Sequence, residues 1–417
     1  MKRLLLFFVF SLCAVEPWTA ASSAQEAVSR TLTLEEVLRD VSGRNPEIIA
    51  ARSRAQAAEE RIPQARAPED LQVGVIQWSI PSNFNIGRAE ETWYTLSQYF
   101  PFFGKRALRE NVASLERDMA GEDSRGVLLR VTREAKEAYF DLFFAHKALE
   151  IHHEQIELTR KLSLIVQEKL ALGAVGQQEL LRARIELLNL SNDLETAAEE
   201  RKIAEARLNT LMNRPTEAIT GIPQAPLLPT VEPKFETLLR EAEASRPENR
   251  LHTFEIRRNE AAVKLARRDL LPDFMAEVAY WDVHDGSNRW MASIKMTVPW
   301  INKKKYVARI RENEAERSRA QSALQATINE TALQIKATLA RLEKSKRQAG
   351  LYETGLLPLA EQSLEAATIG YQSKKNDLMT VIDAQKNLKE LEMTYFRALT
   401  EIQKSLAELE EMTGKTF

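Results

Sequence analysis

The residues best suited to metal chemistry in this sequence are His146, Glu150 and His153. Their spacing of i, i+4 and i+7 places them close to one face of a helix, and imidazole and carboxylate groups are common zinc ligands. The set contains no cysteine and no clear partner that would orient the imidazole rings. A structural helix face accounts for the same three residues, so we predict that role for them and no metal site.

Catalytic motifs are missing from the sequence as well. It contains no glycine-rich phosphate loop, no nucleophile elbow and no His-Glu-x-x-His segment. Its only cysteine, Cys13, falls within a predicted signal peptide. Lys and Arg total 58 against 60 Asp and Glu, so the chain has no positive surplus for binding nucleic acid. We therefore predict no enzyme activity, no cofactor and no nucleic-acid partner.

Residues 1–24 have the pattern of a secretory signal peptide. A basic start at residues 1–3 precedes an apolar run at residues 4–15, and residues 22–24 form a small-residue cleavage site. No later stretch approaches the roughly 18 apolar residues that a transmembrane helix needs. The sequence predicts an exported protein in which strands make any membrane crossing.

The sequence after the signal peptide contains two related copies. Residues 99–102 are matched by residues 297–300, and Glu179-Leu180 by Asp377-Leu378, both at an offset of 198. Five of the 15 prolines lie between the copies, which is typical of an extended connector. We predict a first repeat over residues 25–213, a proline-rich linker over 214–233 and a second repeat over 234–417.

Each copy contains a long helical hairpin, predicted over residues 104–213 and 302–413. Apolar residues alternate at spacings of three and four, as at Leu187, Leu190 and Leu194, which favours coiled-coil packing. Pro358 is expected to kink its helix in the second hairpin. The predicted turns are Gly173, Ala174, Val175 and Gly176 in the first hairpin and Gly370, Tyr371, Gln372 and Ser373 in the second.

A pair of short strands precedes each hairpin. The strands are predicted at residues 71–80 and 92–100, and again at 274–282 and 290–298. Each has the length that a tilted strand needs to cross a bilayer, and apolar and polar residues alternate in all but the first, which is apolar on both faces. Four strands cannot enclose a pore, so the sheet must close by oligomerising. The prolines that flank the pairs are Pro68, Pro101, Pro272 and Pro299.

These features together resemble the TolC-type outer membrane efflux family. The most telling segments are Asn45-Pro46-Glu47, Phe100–Arg106, Leu270–Phe274, and Tyr371 followed by Val381–Gln385. The resemblance implies a mainly α fold with a small β part: long coiled-coil hairpins form an α-barrel, and four strands per chain complete a twelve-stranded transmembrane β-barrel in a homotrimer. The four prolines would mark the junction of barrel and helices.

The resemblance also implies a function. The protein would be a passive exit duct in the outer membrane of a Gram-negative bacterium, with its helical part in the periplasm. It would contact outer-membrane lipid, dock onto a periplasmic adaptor and, through it, serve an inner-membrane pump. The short chain and the Phe100–Arg106 segment are similar to the CzcC-like and CusC-like heavy-metal branch. The alternatives are a duct for drug efflux or type I protein secretion and, from another class, a periplasmic coiled-coil adaptor or scaffold.

Site residues follow from the same resemblance. Asp383 matches a family aspartate at the periplasmic constriction, and Thr380 and Asp377 lie beside it as further gate residues. A ring of three Asp383 carboxylates would attract cations, whereas a solvated aspartate is the plainer interpretation. The two predicted hairpin turns would be the adaptor-docking tips. The basic residues at 105–106 and 303–305 would meet anionic headgroups or simply begin solvated helices.

Overall fold

The computed structural model describes residues 31–80, 82, 84–86, 89–226, 234–284 and 286–415. The predicted signal peptide lies outside the described residues, as does the 227–233 part of the predicted linker. The chain divides into two compact units, and each takes segments from both predicted repeats. We call them the tip unit (residues up to Arg39, Ala138–Leu227 and Gly350–Thr400) and the sheet unit (Asp40–Glu137, Leu228–Ala349 and residues from Glu401 onward).

Helices dominate both halves of the chain. The first half contains β1 (Thr31–Leu32), α1 (Leu34–Arg44), α2 (Pro46–Glu59), α3 (Arg61–Arg66), β2 (Gln72–Trp78), β3 (Glu91–Phe100), α4 (Lys105–Ala171), α5 (Gln177–Leu211) and β4 (Ile222–Pro223). The second contains α6 (Phe235–Ser245), α7 (Pro247–Arg268), β5 (Phe274–Val283), β6 (Arg289–Met296), a 3₁₀ turn (Pro299–Asn302), α8 (Lys303–Leu351), a π turn (Tyr352–Leu356), α9 (Leu357–Gln372) and α10 (Leu378–Thr413). The mainly α fold with a small β part is confirmed.

The four predicted strands form one antiparallel sheet in the sheet unit, in the order β2-β3-β5-β6. Its centre joins the two halves of the chain, because β3 pairs with β5 from Glu91 opposite Val283 to Phe100 opposite Phe274. The observed strand ends lie within two residues of the predicted ones. The flanking prolines Pro101 and Pro299 follow β3 and β6, since proline cannot continue a ladder of backbone hydrogen bonds.

The register gives this sheet one apolar face. Residues directly opposite each other in an antiparallel sheet point to the same side, so Val75, Tyr94, Tyr280 and Trp290 share a face. The large apolar side chains that are exposed on this face are Val73, Val75, Tyr94, Leu96, Phe100, Val278, Trp290, Ile294 and Met296. The sequence pattern of the first strand is apolar on both faces, and the register now assigns its residues. Val73 and Val75 belong to the apolar face, and Ile76 and Trp78 belong to the other.

The opposite face of the sheet is more polar. Lys295 pairs with Glu277 at 2.8 Å between Nζ and Oε2, and Thr95 and Ser97 also lie on this side. Trp93 stacks on Trp281 with ring centroids 4.3 Å apart. The two faces therefore differ in the way that the alternating sequence predicts.

The Asn45-Pro46-Glu47 segment begins helix α2. The Asn45 side chain accepts hydrogen bonds from the backbone N–H groups of Glu47 (2.9 Å) and Ile48 (3.3 Å), and Pro46 occupies the first helical turn. The matched helix α7 begins at Arg246-Pro247 without a side-chain cap. Arg246 instead donates to Thr331 Oγ1 at 2.6 Å, so the second copy uses its cap position to bind helix α8.

Two further features concern the tip unit. Strands β1 and β4 pair in parallel, and the Tyr139 hydroxyl joins them by donating to Leu32 O and accepting from Gln224 N, both at 2.9 Å. The sequence interpretation missed this pair because each strand is only two residues long. A π turn at Tyr352–Leu356 directly precedes the helical turn that contains Pro358, which has no N–H to continue a regular α-helix. The kink expected there stays a prediction.

Candidate functional site

The first hairpin turn lies where the sequence predicts it. Helix α4 ends at Ala171, Gly173 adopts a left-handed φ of +66°, and the Ala174 N–H donates to Lys169 O at 2.8 Å. This closure suits glycine, which has no Cβ to crowd the following carbonyl. Leu172 is 83% exposed at this turn, and Gly173, Ala174 and Gly176 are also exposed, whereas Val175 is partly buried.

The predicted second turn is displaced by three residues. Helix α9 continues through Gly370, Tyr371 and Gln372, and the turn begins only at Ser373. The left-handed position is held by Lys374, with φ of +62°, and Lys375 N–H closes the turn onto Gly370 O at 2.8 Å. The prediction placed the turn at Gly370, whereas this glycine is needed for another reason: a Cβ there would collide with the Asn376 side chain.

Tyr371 is buried rather than exposed for docking. Its side chain is only 2% exposed, and its hydroxyl donates to Glu179 Oε2 at 2.9 Å. The Lys169 ammonium lies 4.0 Å from the ring centroid and donates to the Tyr371 carbonyl. Burial and the hydrogen bond to Glu179 raise the pKa of Tyr371. The structure thus corrects its predicted role from contact residue to a link between the two hairpins.

Glu179 and Lys169 are residues that sequence reasoning missed. They belong to a larger set of contacts by which α9 and α10 bind the first hairpin. Lys386 pairs with Glu186 at 2.9 Å and Lys389 with Asp193 at 3.1 Å. The apolar cluster beneath these ion pairs is made of Leu162, Val166, Ala183, Ala367, Tyr371, Leu378, Val381 and Ile382. The signal available in the sequence for this contact was the opposite charge of the residues that α5 and α10 contribute.

Two of the three predicted gate residues form a helix cap. Asp377 Oδ1 accepts hydrogen bonds from the Thr380 backbone N–H (3.0 Å) and hydroxyl (2.6 Å) at the start of α10. These bonds lower the pKa of Asp377, so its carboxylate is ionised near neutral pH. Asp383 lies six residues further along the same helix and is exposed. Their role as a gate stays a prediction.

Glu392 is a titratable residue of the tip unit that the sequence analysis did not identify. Its carboxylate is partly buried on α10, and Glu154, Glu361 and Glu150 add like charge around it. Burial and these neighbours raise the pKa of Glu392 to about 7.

The histidine set has the surroundings of a packed helix. Burial, with the nearby charge of Arg201, lowers the pKa of His146, His153 is exposed, and Glu150 pairs with Lys147 at 2.6 Å. Among the described residues, no group of three or more His, Cys, Asp or Glu side chains is arranged to hold a metal ion.

The junction of strands and helices in the sheet unit is organised by Asp273. Its carboxylate accepts hydrogen bonds from the Tyr99 hydroxyl (2.7 Å), the Phe102 N–H (2.7 Å) and Lys105 Nζ (2.8 Å). Pro101 precedes the donor Phe102, and Pro272 precedes the acceptor Asp273. The two prolines end the regular elements on either side. The two segments that carried the family resemblance, Phe100–Arg106 and Leu270–Phe274, therefore bind each other.

Lys105 is buried within this junction, with 1% of its surface exposed. Its ammonium also donates to Leu271 O at 2.9 Å and lies 3.8 Å from Asp269 Oδ1. Burial alone would raise the pKa of Asp273, but the hydrogen bonds from Lys105, Phe102 and Tyr99 hold it below its usual value. The expectation that Lys105 contacts lipid headgroups is wrong, because its charge is already neutralised inside the protein.

No helix in the described part of the chain is long and apolar enough to cross a membrane.

Comparison with known proteins agrees with the geometry. Residues 238–415 match the family described as outer membrane efflux protein. The chain is 22% identical to the cobalt-zinc-cadmium resistance protein CzcC of Cupriavidus metallidurans over all of both chains. Among solved structures, a membrane protein from Pseudomonas aeruginosa has a TM-score of 0.81 at 17% identity, covering 99% of this chain and 97% of that one. CusC has a TM-score of 0.77 at 17% identity, covering 91% of each chain.

Proposed function

We propose that the chain is the passive exit duct of a tripartite efflux system for heavy-metal cations, on the ground that residues 238–415 match the outer membrane efflux protein family. Members of this family are channels of the Gram-negative outer membrane rather than enzymes, and they work with adaptors and inner-membrane pumps. The observation that carries the proposal is the apolar sheet face. Nine large apolar side chains exposed on one side of a sheet suit contact with lipid, while the other side carries Glu277 and Lys295.

The sheet supports a homotrimer. In the order β2-β3-β5-β6, strands β2 and β6 are edges, and unpaired backbone groups are costly in lipid. Joining β2 of one chain to β6 of the next removes every edge. Three copies would then give the twelve-stranded barrel, and the polar sheet face would line its interior.

The hairpin turns are proposed to meet the adaptor. Exposed Leu172, Gly173 and Ala174 offer an apolar contact at the first turn, and exposed Lys374 and Lys375 offer charge at the second. A cysteine at Ala174 is expected to cross-link to a co-expressed adaptor, whereas one at the buried Tyr371 is not. Capture from sheet positions alone would contradict docking at the tips.

The gate is proposed to lie at the start of α10, where Asp377, Thr380 and Asp383 are exposed. In a trimer, three copies of each carboxylate would surround one axis and attract cations over anions. We expect Asp383→Asn to reduce cation preference in planar-bilayer recordings, because one ring of charge is lost. Recordings identical to those of the unmodified protein would remove Asp383 from the gate.

The metal substrate rests on the full-length similarity to CzcC, whose name gives cobalt, zinc and cadmium. Deletion of the gene should lower the growth tolerance to these ions, and the intact gene should restore it. A loss of tolerance confined to drugs, or a defect in protein secretion, would support the alternative ducts. Release of the protein from membranes by a salt wash would instead favour a periplasmic adaptor or scaffold.

A further inference from the structure

A cavity of about 770 Å³ opens at the strand-to-helix junction of the sheet unit. Phe100, Phe274 and Phe103 supply its apolar wall, and Arg66 and Arg106 supply its charge. The volume lies within the roughly 300–1,000 Å³ of pockets that hold drug-sized ligands. Tyr99 and Phe102 of the Asp273 junction also line it, but no ligand has been assigned to the cavity above.

The charge of the cavity favours an anion. Arg106 donates from its guanidinium to the Arg66 carbonyl at 3.0 Å, which fixes one arginine beside the other. Glu110 is the acidic residue of the lining, and it approaches Arg66 at 3.5 Å. Two guanidinium groups against one carboxylate leave a net positive charge. Arginine is well suited to bind phosphate oxygens, because its planar group can donate two parallel hydrogen bonds.

The apolar wall continues the apolar face of the sheet. Phe100 and Phe274 are opposite each other in register at the last pair of β3 and β5, and Phe100 is 52% exposed. Phe103 projects beyond them with 85% of its surface exposed. A ligand with an apolar chain lying along the sheet and a phosphate at the junction would therefore meet both parts of the cavity.

We propose that this cavity binds a glycerophospholipid, with its phosphate at Arg66 and Arg106 and its acyl chain against the three phenylalanines. The inference rests on the proposed immersion of the apolar sheet face in the outer membrane. In the proposed duct, the helix that follows β3 would leave this end of the sheet toward the periplasm, which would place the cavity at the depth of the inner-leaflet headgroups. Basic pockets beside membrane-spanning segments are known to bind lipid headgroups.

The duplication offers matched controls. At an offset of 198, Phe103 corresponds to Ile301 and Arg106 to Lys304, and both counterparts are exposed but do not line the cavity of their own chain. The test uses the full-length protein, purified from outer membranes in detergent, stripped of lipid and then mixed with phosphatidylglycerol. Native mass spectrometry counts the lipids retained per chain, and diacylglycerol serves as a probe without phosphate.

We expect phosphatidylglycerol to be retained and diacylglycerol to be lost. Arg106→Gln and Phe103→Ser should each lower retention by about tenfold, the effect of one charge-assisted or apolar contact, whereas Lys304→Gln and Ile301→Ser should not. Equal losses in both pairs would show diffuse attraction and overturn the proposal, as would no loss in either. A Phe103→Cys variant that cross-links to a second copy of the chain would also overturn it, by giving the cavity a different occupant. A protein absent from the outer membrane before purification would refute the proposed function instead.

Discussion

The two strand-to-helix junctions differ although the sequence repeats them. Lys105 and Lys303 occupy equivalent positions, 198 residues apart, at the start of helices α4 and α8. Lys105 is buried against Asp273 and Asp269, whereas Lys303 is exposed. Burial of the lysine therefore depends on the acids supplied by the other half of the chain and not on the local segment alone.

The hairpin turns differ in the same way. Gly173 and Lys374 are 201 residues apart and both hold the left-handed position that closes a turn. The first copy uses the residue that tolerates this backbone conformation, and the second uses one that does not favour it. Duplication has therefore preserved geometry while the residues have diverged.

The largest effect is expected at the first junction. Asp273→Asn removes the nearer of the two carboxylates beside the buried Lys105 ammonium and leaves only Asp269 at 3.8 Å, which should lower the free energy of unfolding by about 3 kcal/mol. Thermal unfolding of the purified protein in detergent measures this loss of stability. The matched control, Lys303→Met, should change stability by about 0.5 kcal/mol or less, because an exposed lysine contributes little. Equal effects from Asp273→Asn and Lys303→Met would break the contrast between the junctions.

The same variant predicts a pH dependence. The pKa of Asp273 is lowered in the folded protein, so its ionised form stabilises the fold above its ordinary value of 3.8. That contribution is lost as pH falls through the lowered pKa. The stability difference between the unmodified protein and Asp273→Asn should therefore be full near pH 7 and shrink below about pH 4.

An intermediate effect is expected at Glu392. Counted from the left-handed turn residues Gly173 and Lys374, the position in the first copy that corresponds to Glu392 is Ser191, whose hydroxyl donates to Leu187 O at 2.9 Å. The pKa of Glu392 is raised from 4.5 to about 7, so ionisation destabilises the fold increasingly between these values and fully above them. Glu392→Gln should raise the free energy of unfolding by about 1–3 kcal/mol at pH 8, after allowance for solvent screening. It should have little effect at pH 4, and the exposed Glu390→Gln should have little effect at either pH.

The smallest effect concerns the turns. Lys374→Gly should stabilise the protein by about 1 kcal/mol, because glycine adopts a left-handed conformation without steric cost. Gly173→Lys should destabilise it by a similar amount. Both are measured as shifts of the unfolding midpoint in detergent. A stabilising Gly173→Lys would show that side-chain contacts, rather than backbone conformation, govern the first turn.

The features that local patterns determine were predictable from sequence. Strand ends follow from alternation and from prolines such as Pro101 and Pro299, and the first turn follows from Gly173. The glycine pattern predicts the second turn at the wrong place, because Lys374 holds the left-handed position and Gly370 makes room for Asn376. The boundaries of the two repeats stay a prediction, since the compact units cut across both of them.

Long-range partners were not predictable in the same way. Neither the burial of Lys105 nor that of Tyr371 is visible in its own segment, because Asp273 and Glu179 lie 168 and 192 residues away. The apolar residues next to Phe103 in the sequence do not predict a cavity lined by two arginines. The gate and docking residues rest on the family resemblance. The structure describes the contacts around these residues, and their roles stay predictions.

The central pairing of β3 with β5 has a consequence for the order of events during export. Its partners are separated by 174 residues at Phe100 and Phe274, so β3 has no permanent neighbour on that side until more than half of the chain has been delivered. A lone β2-β3 hairpin is marginally stable in water, and it would present the exposed apolar residues of β2 and β3 to any other chain nearby. In the interval between arrival of the first hairpin and arrival of the second, these apolar residues are therefore open to aggregation.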